Sequence, residues 1–174
     1  MMLYPRLALT GIKKNRQTYT PYILTCSGMI MMYYIVSFLS RSEQMKSLEG
    51  GSTMAYLLNM GCGVMIAFSA IFLYYTNSFL IRRRNREFGL YNILGMGKGN
   101  LAKVLAWETV IMALISIAAG EALGILLGKL FELLLVNIVD GTVQMQFTVS
   151  VPATTMTAIL YLAIFALLFL RSLV

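Results

Sequence analysis

An all-α integral membrane protein is what this sequence of 174 residues predicts, with four transmembrane helices and a short cytoplasmic helix between the second and third. Composition is the first reason: 59% of residues are hydrophobic and 12% charged, whereas soluble domains are near half apolar and about a quarter charged. A soluble domain of about 150 residues buries only roughly 70% of its unfolded surface, too little to hide this much apolar area. The second reason is a set of charge-free stretches long enough to cross about 30 Å of hydrocarbon, which takes about 20 helical residues. The third is that the 14 Lys and Arg, against 7 Asp and Glu, concentrate in alternate connections between those stretches.

Residues 1–20 form a basic N-terminal segment carrying Arg6, Lys13, Lys14 and Arg16. The first span is residues 21–39. Its apolar core exceeds the 7–15 residues of a signal-peptide h-region, and no A-x-A-like cleavage site follows, so it reads as a retained helix. The second span is residues 54–80, about 27 residues, which must tilt or project beyond the bilayer. The third lies in an apolar stretch from Val104 to Val139 that Glu108, Glu121, Lys129 and Glu132 interrupt. Residues 107–127 are its membrane part, and the remainder is read as an outward extension or a bent interfacial piece. The fourth span is residues 152–170, ahead of Arg171.

Orientation follows from the bases. The four connecting segments outside the spans carry four, two, six and one Lys or Arg in chain order, so both termini and residues 82–101 are expected in the cytoplasm. No internal repeat, low-complexity tract or flexible linker divides the chain. Residues 1–174 are therefore expected to be one membrane domain, with outer loops too short for a folded ectodomain.

The absence of histidine removes the commonest general base and metal ligand. Two cysteines make neither a disulfide framework nor a four-ligand zinc site. Cys26 and Cys62 fall at different depths and are expected to be buried thiols. Gly97–Lys98 lacks the rest of a phosphate loop: Asn92 stands where its first glycine belongs and Gly99 replaces Ser or Thr. No catalytic residue, cofactor or metal is expected, and no nucleic-acid partner. The lipid bilayer is the expected environment, and Arg82, Arg83 and Arg84 suit lipid phosphates.

The connection after the second span is the most informative part of the chain. Phe88, Tyr91, Leu94 and Gly95 are spaced at i, i+3, i+6 and i+7, one face of a short helix that Gly95, Gly97 and Gly99 would end. Such an amphipathic helix is expected on the cytoplasmic surface, with the third span beginning near Lys103. The run Phe72–Leu101, and within it Arg86-Glu87-Phe88-Gly89-Leu90-Tyr91 and Leu94-Gly95-Met96, closely resembles FtsX-like permeases of ABC transporters. It is most similar to the BceB type, permeases of antimicrobial-peptide detoxification such as bacitracin export. The opening Leu7-Ala8-Leu9, Ile12-Lys13-Lys14-Asn15 and Tyr19-Thr20-Pro21-Tyr22 also looks like the start of such permeases.

The resemblance implies a bacterial plasma-membrane protein, with the segment between helices two and three acting as a coupling helix for a cytoplasmic ABC ATPase subunit. By motif match that docking falls to Arg86, Glu87, Gly89, Leu90, Leu94 and Gly95. The four spans match the family's N-terminal membrane unit. Family members are longer and carry a large extracellular domain, so this chain is expected to be a fragment or a truncated reading frame. A peptide antibiotic or its lipid complex would then be met by a region absent here, and a membrane sensor kinase is a further partner the resemblance implies. Lipoprotein-releasing and cell-division permeases are the nearest alternatives, against which the short first outer loop argues.

Gly120, Gly124 and Gly128 form a small-residue ridge on the third span, where span two, span four or a second permease unit is expected to pack. Gly61 and Gly63 are a weaker version on span two. Glu121, one residue after Gly120 near the outer part of the third span, would centre a rival reading as a small proton-coupled transporter. The blander reading puts it near the outer headgroups, paired with Lys129 or water. Glu108 reads as an interfacial charge at a helix start. A non-transporting membrane adaptor is the remaining alternative.

Overall fold

A computed structural model describes residues 10–46, 50–93, 98–138 and 150–173. A helical turn at 10–14 breaks at Asn15 and leads into α1 (Arg16–Arg41). A single turn, α2 (Glu43–Lys46), follows, then α3 (Gly51–Ile93), α4 (Lys98–Ile138) and α5 (Val151–Leu173). Among the described residues there is no strand. Four helical stretches are long and apolar enough to cross a membrane: Arg16–Arg41, Gly51–Arg82, Ala102–Leu135 and Val151–Arg171. Gly50 precedes α3 with φ 77°, a left-handed conformation that glycine adopts without steric cost.

Each helix outruns the apolar stretch that marked it. The 43 residues of α3 are about 65 Å long at 1.5 Å per residue, twice the hydrocarbon thickness. The residues beyond Leu80 are not a separate surface helix but the last turns of α3. The physical reason is plain in the sequence. Arginine and glutamate are good helix formers, and neither Pro nor Gly falls between Gly63 and Gly89. The arginine cluster marks where the helix leaves the bilayer, not where it ends. Similarly, α4 starts at Lys98 and continues as one uninterrupted helix through Lys129 and Glu132 to Ile138.

Helix α1 lies at the centre, packed against α4, α3 and α5. Its buried residues include Tyr19, Tyr22, Cys26, Ile30, Tyr34 and Phe38. The other three spans turn large apolar side chains outward, such as Phe68 and Phe72 on α3, Leu114 on α4 and Leu167 on α5. That pattern suits helices whose outer faces meet hydrocarbon. Several hydroxyls within the spans are satisfied by their own helices: Thr25 donates to the Pro21 carbonyl at 2.8 Å, Ser40 to that of Ser37 at 2.9 Å and Thr157 to that of Ala153 at 2.8 Å. Cys26 and Cys62 are both free and buried.

Candidate functional site

The glycine ridge of α4 faces α1, not span two or four. A Cβ on Gly120 would lie 2.7 Å from the Ile30 Cβ and 2.8 Å from the Ser27 carbonyl oxygen. One on Gly124 would lie 2.9 Å from the Tyr34 ring, and one on Gly128 3.4 Å from Phe38. Ile30, Tyr34 and Phe38 advance along α1 as Gly120, Gly124 and Gly128 advance along α4, at a constant offset of 90 residues. The two helices therefore run parallel and in register. Gly61, by contrast, only approaches Val36, at 3.8 Å, and a Cβ on Gly63 would meet nothing within 4 Å.

The same register brings polar groups together at both ends of the pair. Near the start of α1, the Tyr19 hydroxyl donates to Glu108 Oε2 at 3.4 Å, and both residues are fully buried. Glu108 is thus not a solvated charge at a helix start. The preceding turn lies over it, so that a Cβ on Gly11 would be 3.1 Å from Glu108 Oε1. At the other end, Lys129 Nζ donates to Glu132 Oε2 at 2.7 Å, and Ser42, just past α1, donates to Glu132 Oε1. Lys129 and Glu132 are both buried.

This pairing leaves Glu121 elsewhere. Eight residues separate it from Lys129, about 12 Å along the helix, beyond the one-turn reach of side-chain pairs. Its Oε1 is sealed from solvent and has no hydrogen-bond partner among the described residues.

A second junction ties α5 to the core. The Tyr161 hydroxyl donates to the Met29 carbonyl at 2.9 Å and lies 2.8 Å from Ser69 Oγ, joining α5, α1 and α3. Its ring meets Tyr33 edge-on at 5.9 Å between centroids. Closer to the far end of α5, Arg171 sits 3.8 Å above the Tyr74 ring of α3, a cation–π contact.

The residues singled out for partner docking stand at the end of α3. Arg86, Glu87, Gly89 and Leu90 belong to its last turns, of which only the helical backbone is described; Leu94 and Gly95 lie outside the described residues. Residues 83–93 carry the axis of α3 about 16 Å past its apolar span, and four residues, 94–97, separate it from α4. Among the described residues no three His, Cys, Asp or Glu side chains gather to hold a metal ion.

Sequence reasoning missed the Tyr19–Glu108 and Ser69–Tyr161–Met29 junctions. Tyrosines near span ends look like interfacial anchors, and nothing local distinguishes a tyrosine that faces another helix. A glycine at position 11, within a basic amphipathic turn, was the one local sign that something packs there.

Known proteins are similar to this chain in sequence. The ABC transporter permease YvcS of Bacillus subtilis (strain 168) is 30% identical over 169 residues, covering 96% of this chain and 26% of that protein. The bacitracin export permease proteins BceB of Halalkalibacterium halodurans and of Bacillus subtilis (strain 168) are each 27% identical, over 98% and 96% of this chain and 26% of their own lengths. The chain thus spans about a quarter of the length of the relatives it matches. Residues 59–174, which hold most of α3 with its projecting end, the glycine ridge and α5, match the family model described as FtsX-like permease C-terminal. Four apolar helices and a match over most of the sequence lead to one assignment: the chain is a multi-pass membrane protein of the FtsX-like permease family of ABC transporters.

Proposed function

We propose that this chain converts ATP hydrolysis on a separate cytoplasmic ATPase subunit into movement of its membrane helices, in resistance to a peptide antibiotic. The observation that carries the reading is the unbroken α3, which joins the family-like segment Arg86–Tyr91 to the membrane span in one rigid element. A helix transmits a push at one end as a tilt of the other. With only residues 94–97 between α3 and α4, displacement of this end moves both helices. The glycine ridge then passes the motion to α1. An acidic residue, several bases and apolar positions on the projecting turns suit a groove whose charge fixes orientation.

In this reading the chain performs no catalysis itself, consistent with a sequence that lacks histidine. By the positive-inside rule both termini and the projecting end of α3 face the cytoplasm, since residues 1–20 and 82–103 hold ten of the 14 bases. The names of the BceB relatives favour a bacitracin-like peptide or its lipid complex as the substrate class. A membrane sensor kinase is the second proposed partner.

The test is substitution of Glu87→Lys and Leu90→Asp in the full-length permease, with co-purification of the ATPase and antibiotic resistance as readouts. Both are expected to fall at least about tenfold, as for loss of a central anchor worth roughly 1.4 kcal/mol or more. Undiminished binding and resistance would overturn the proposal.

A further inference from the structure

The turn at 10–14 and the start of α1 carry an open concavity of about 540 Å³ lined by Ile12, Lys13, Arg16, Tyr19, Thr20 and Ile23. We propose that it binds one anionic phospholipid, with the phosphate held by Lys13 and Arg16 and an acyl chain lying along Ile23. Three observations support a lipid rather than a diffuse basic surface.

The first is chemical grading along the concavity. Lys13 and Arg16 are exposed, and Thr20 adds an exposed hydroxyl one turn further on. Ile23, half-buried, stands seven residues beyond Arg16, about 10 Å along the helix axis. From Lys13 and Arg16 to Ile23 the lining passes from cationic through hydroxyl to apolar, the polarity of a phospholipid. The second is depth. Arg16 is the first residue of the apolar helix, so the cationic end lies at headgroup level and Ile23 within the hydrocarbon. The third is charge balance. Lys13 and Arg16 form no ion pair among the described residues. The carboxylate nearest in sequence contacts, Glu108, is buried where it accepts from Tyr19 and does not line the concavity. A soluble anion would find the bases but would leave Ile23 uncovered.

Asn15, φ −105° and ψ 35°, interrupts the helix between the two bases, and the lining residues share one helical face on both sides of it. A ligand held by Lys13 and Arg16 together would bridge that interruption. A bound lipid would therefore seat the N-terminal turn at a fixed angle over Glu108.

The test is native mass spectrometry of the purified full-length permease titrated with phosphatidylglycerol, and in parallel with phosphatidylcholine. The wild-type protein is expected to retain one phosphatidylglycerol selectively. A Lys13→Gln/Arg16→Gln variant is expected to weaken that retention by roughly five-fold per base lost. Thr20→Trp, which fills the concavity without changing charge, is expected to abolish it. Arg41→Gln/Lys46→Gln, which removes the same charge elsewhere, should leave it within about two-fold. Equal retention in Lys13→Gln/Arg16→Gln, an equal loss in Arg41→Gln/Lys46→Gln, or retention of phosphatidylcholine to the same extent would each overturn the proposal. So would displacement of the bound phosphatidylglycerol by millimolar inorganic phosphate, which would identify a simple anion site.

Discussion

A methyl group is the smallest probe of the α1–α4 contact, and the three ridge glycines should answer it differently. Gly120→Ala drives a Cβ into the Ser27 carbonyl and the Ile30 Cβ, neither of which can rotate away. It is expected to cost about 1–3 kcal/mol, as overpacking of a tight interface does. Gly124→Ala meets a tyrosine ring that can shift, and should cost less; Gly128→Ala, at 3.4 Å, should be nearly neutral. Thermal unfolding of the three variants in one detergent checks the order. Tyr161→Phe removes both bonds of a buried hydroxyl and is expected to cost about 1 kcal/mol, since interhelical hydrogen bonds in membranes average roughly 0.6 kcal/mol each. Glu121→Gln, where no partner is lost among the described residues, should leave ATPase co-purification and resistance within about two-fold of wild type. A collapse of transport in that variant, with the ATPase still bound, would instead point to proton coupling.

At the scale of elements, the parallel pair α1–α4 is closed at one end by Lys129, Glu132 and Ser42. Removing only the lysine leaves a buried carboxylate uncompensated, so Lys129→Met is expected to cost about 3 kcal/mol or more. Adding Glu132→Leu should recover most of that loss, because apolar replacement of a whole buried pair is often neutral. Denaturant titration of the single and double variants measures the coupling. For α3 the corresponding device is continuity. Asn85→Pro would break the helix between the span and the docking turns. ATPase binding is expected to survive and resistance to fall, since the projecting end could dock without tilting the span. Resistance at wild-type level in that variant would show that rigidity of α3 is not what transmits the motion.

Across the whole molecule, what the sequence disclosed and what it hid have separate physical origins. The four apolar helices and the family resemblance were legible, because both are written in contiguous residues: charge-free runs, and Arg86–Tyr91 with Leu94–Gly95–Met96. The partners of the helices were not. Apolar faces in lipid are alike whether they meet a neighbour or hydrocarbon, so Gly120, Gly124 and Gly128 announced close packing without saying that α1 was the neighbour. Charge was misleading in a consistent way. It ended the apolar count at Leu80 although the helix ran on to Ile93, and it placed Glu108 at the interface although Tyr19 and the Gly11 turn cover it. The docking residues were found through resemblance alone, since nothing in their periodicity separates a docking face from an interfacial one.

The offset of 90 residues between α1 and α4 also sets a timetable for biogenesis. A ribosome adding about 5–20 residues per second completes Gly120 roughly 5–20 s after Ile30. During that interval the helix richest in buried serine and tyrosine has entered the bilayer, but the surface it was shaped to meet has not been synthesised. Chains arrested after residue 93 should therefore hold α1 in a protease- or crosslinker-accessible state, contacting the insertion machinery, and release it only when synthesis passes Gly128. The helix that ends at the centre is the first to arrive and among the last to be seated.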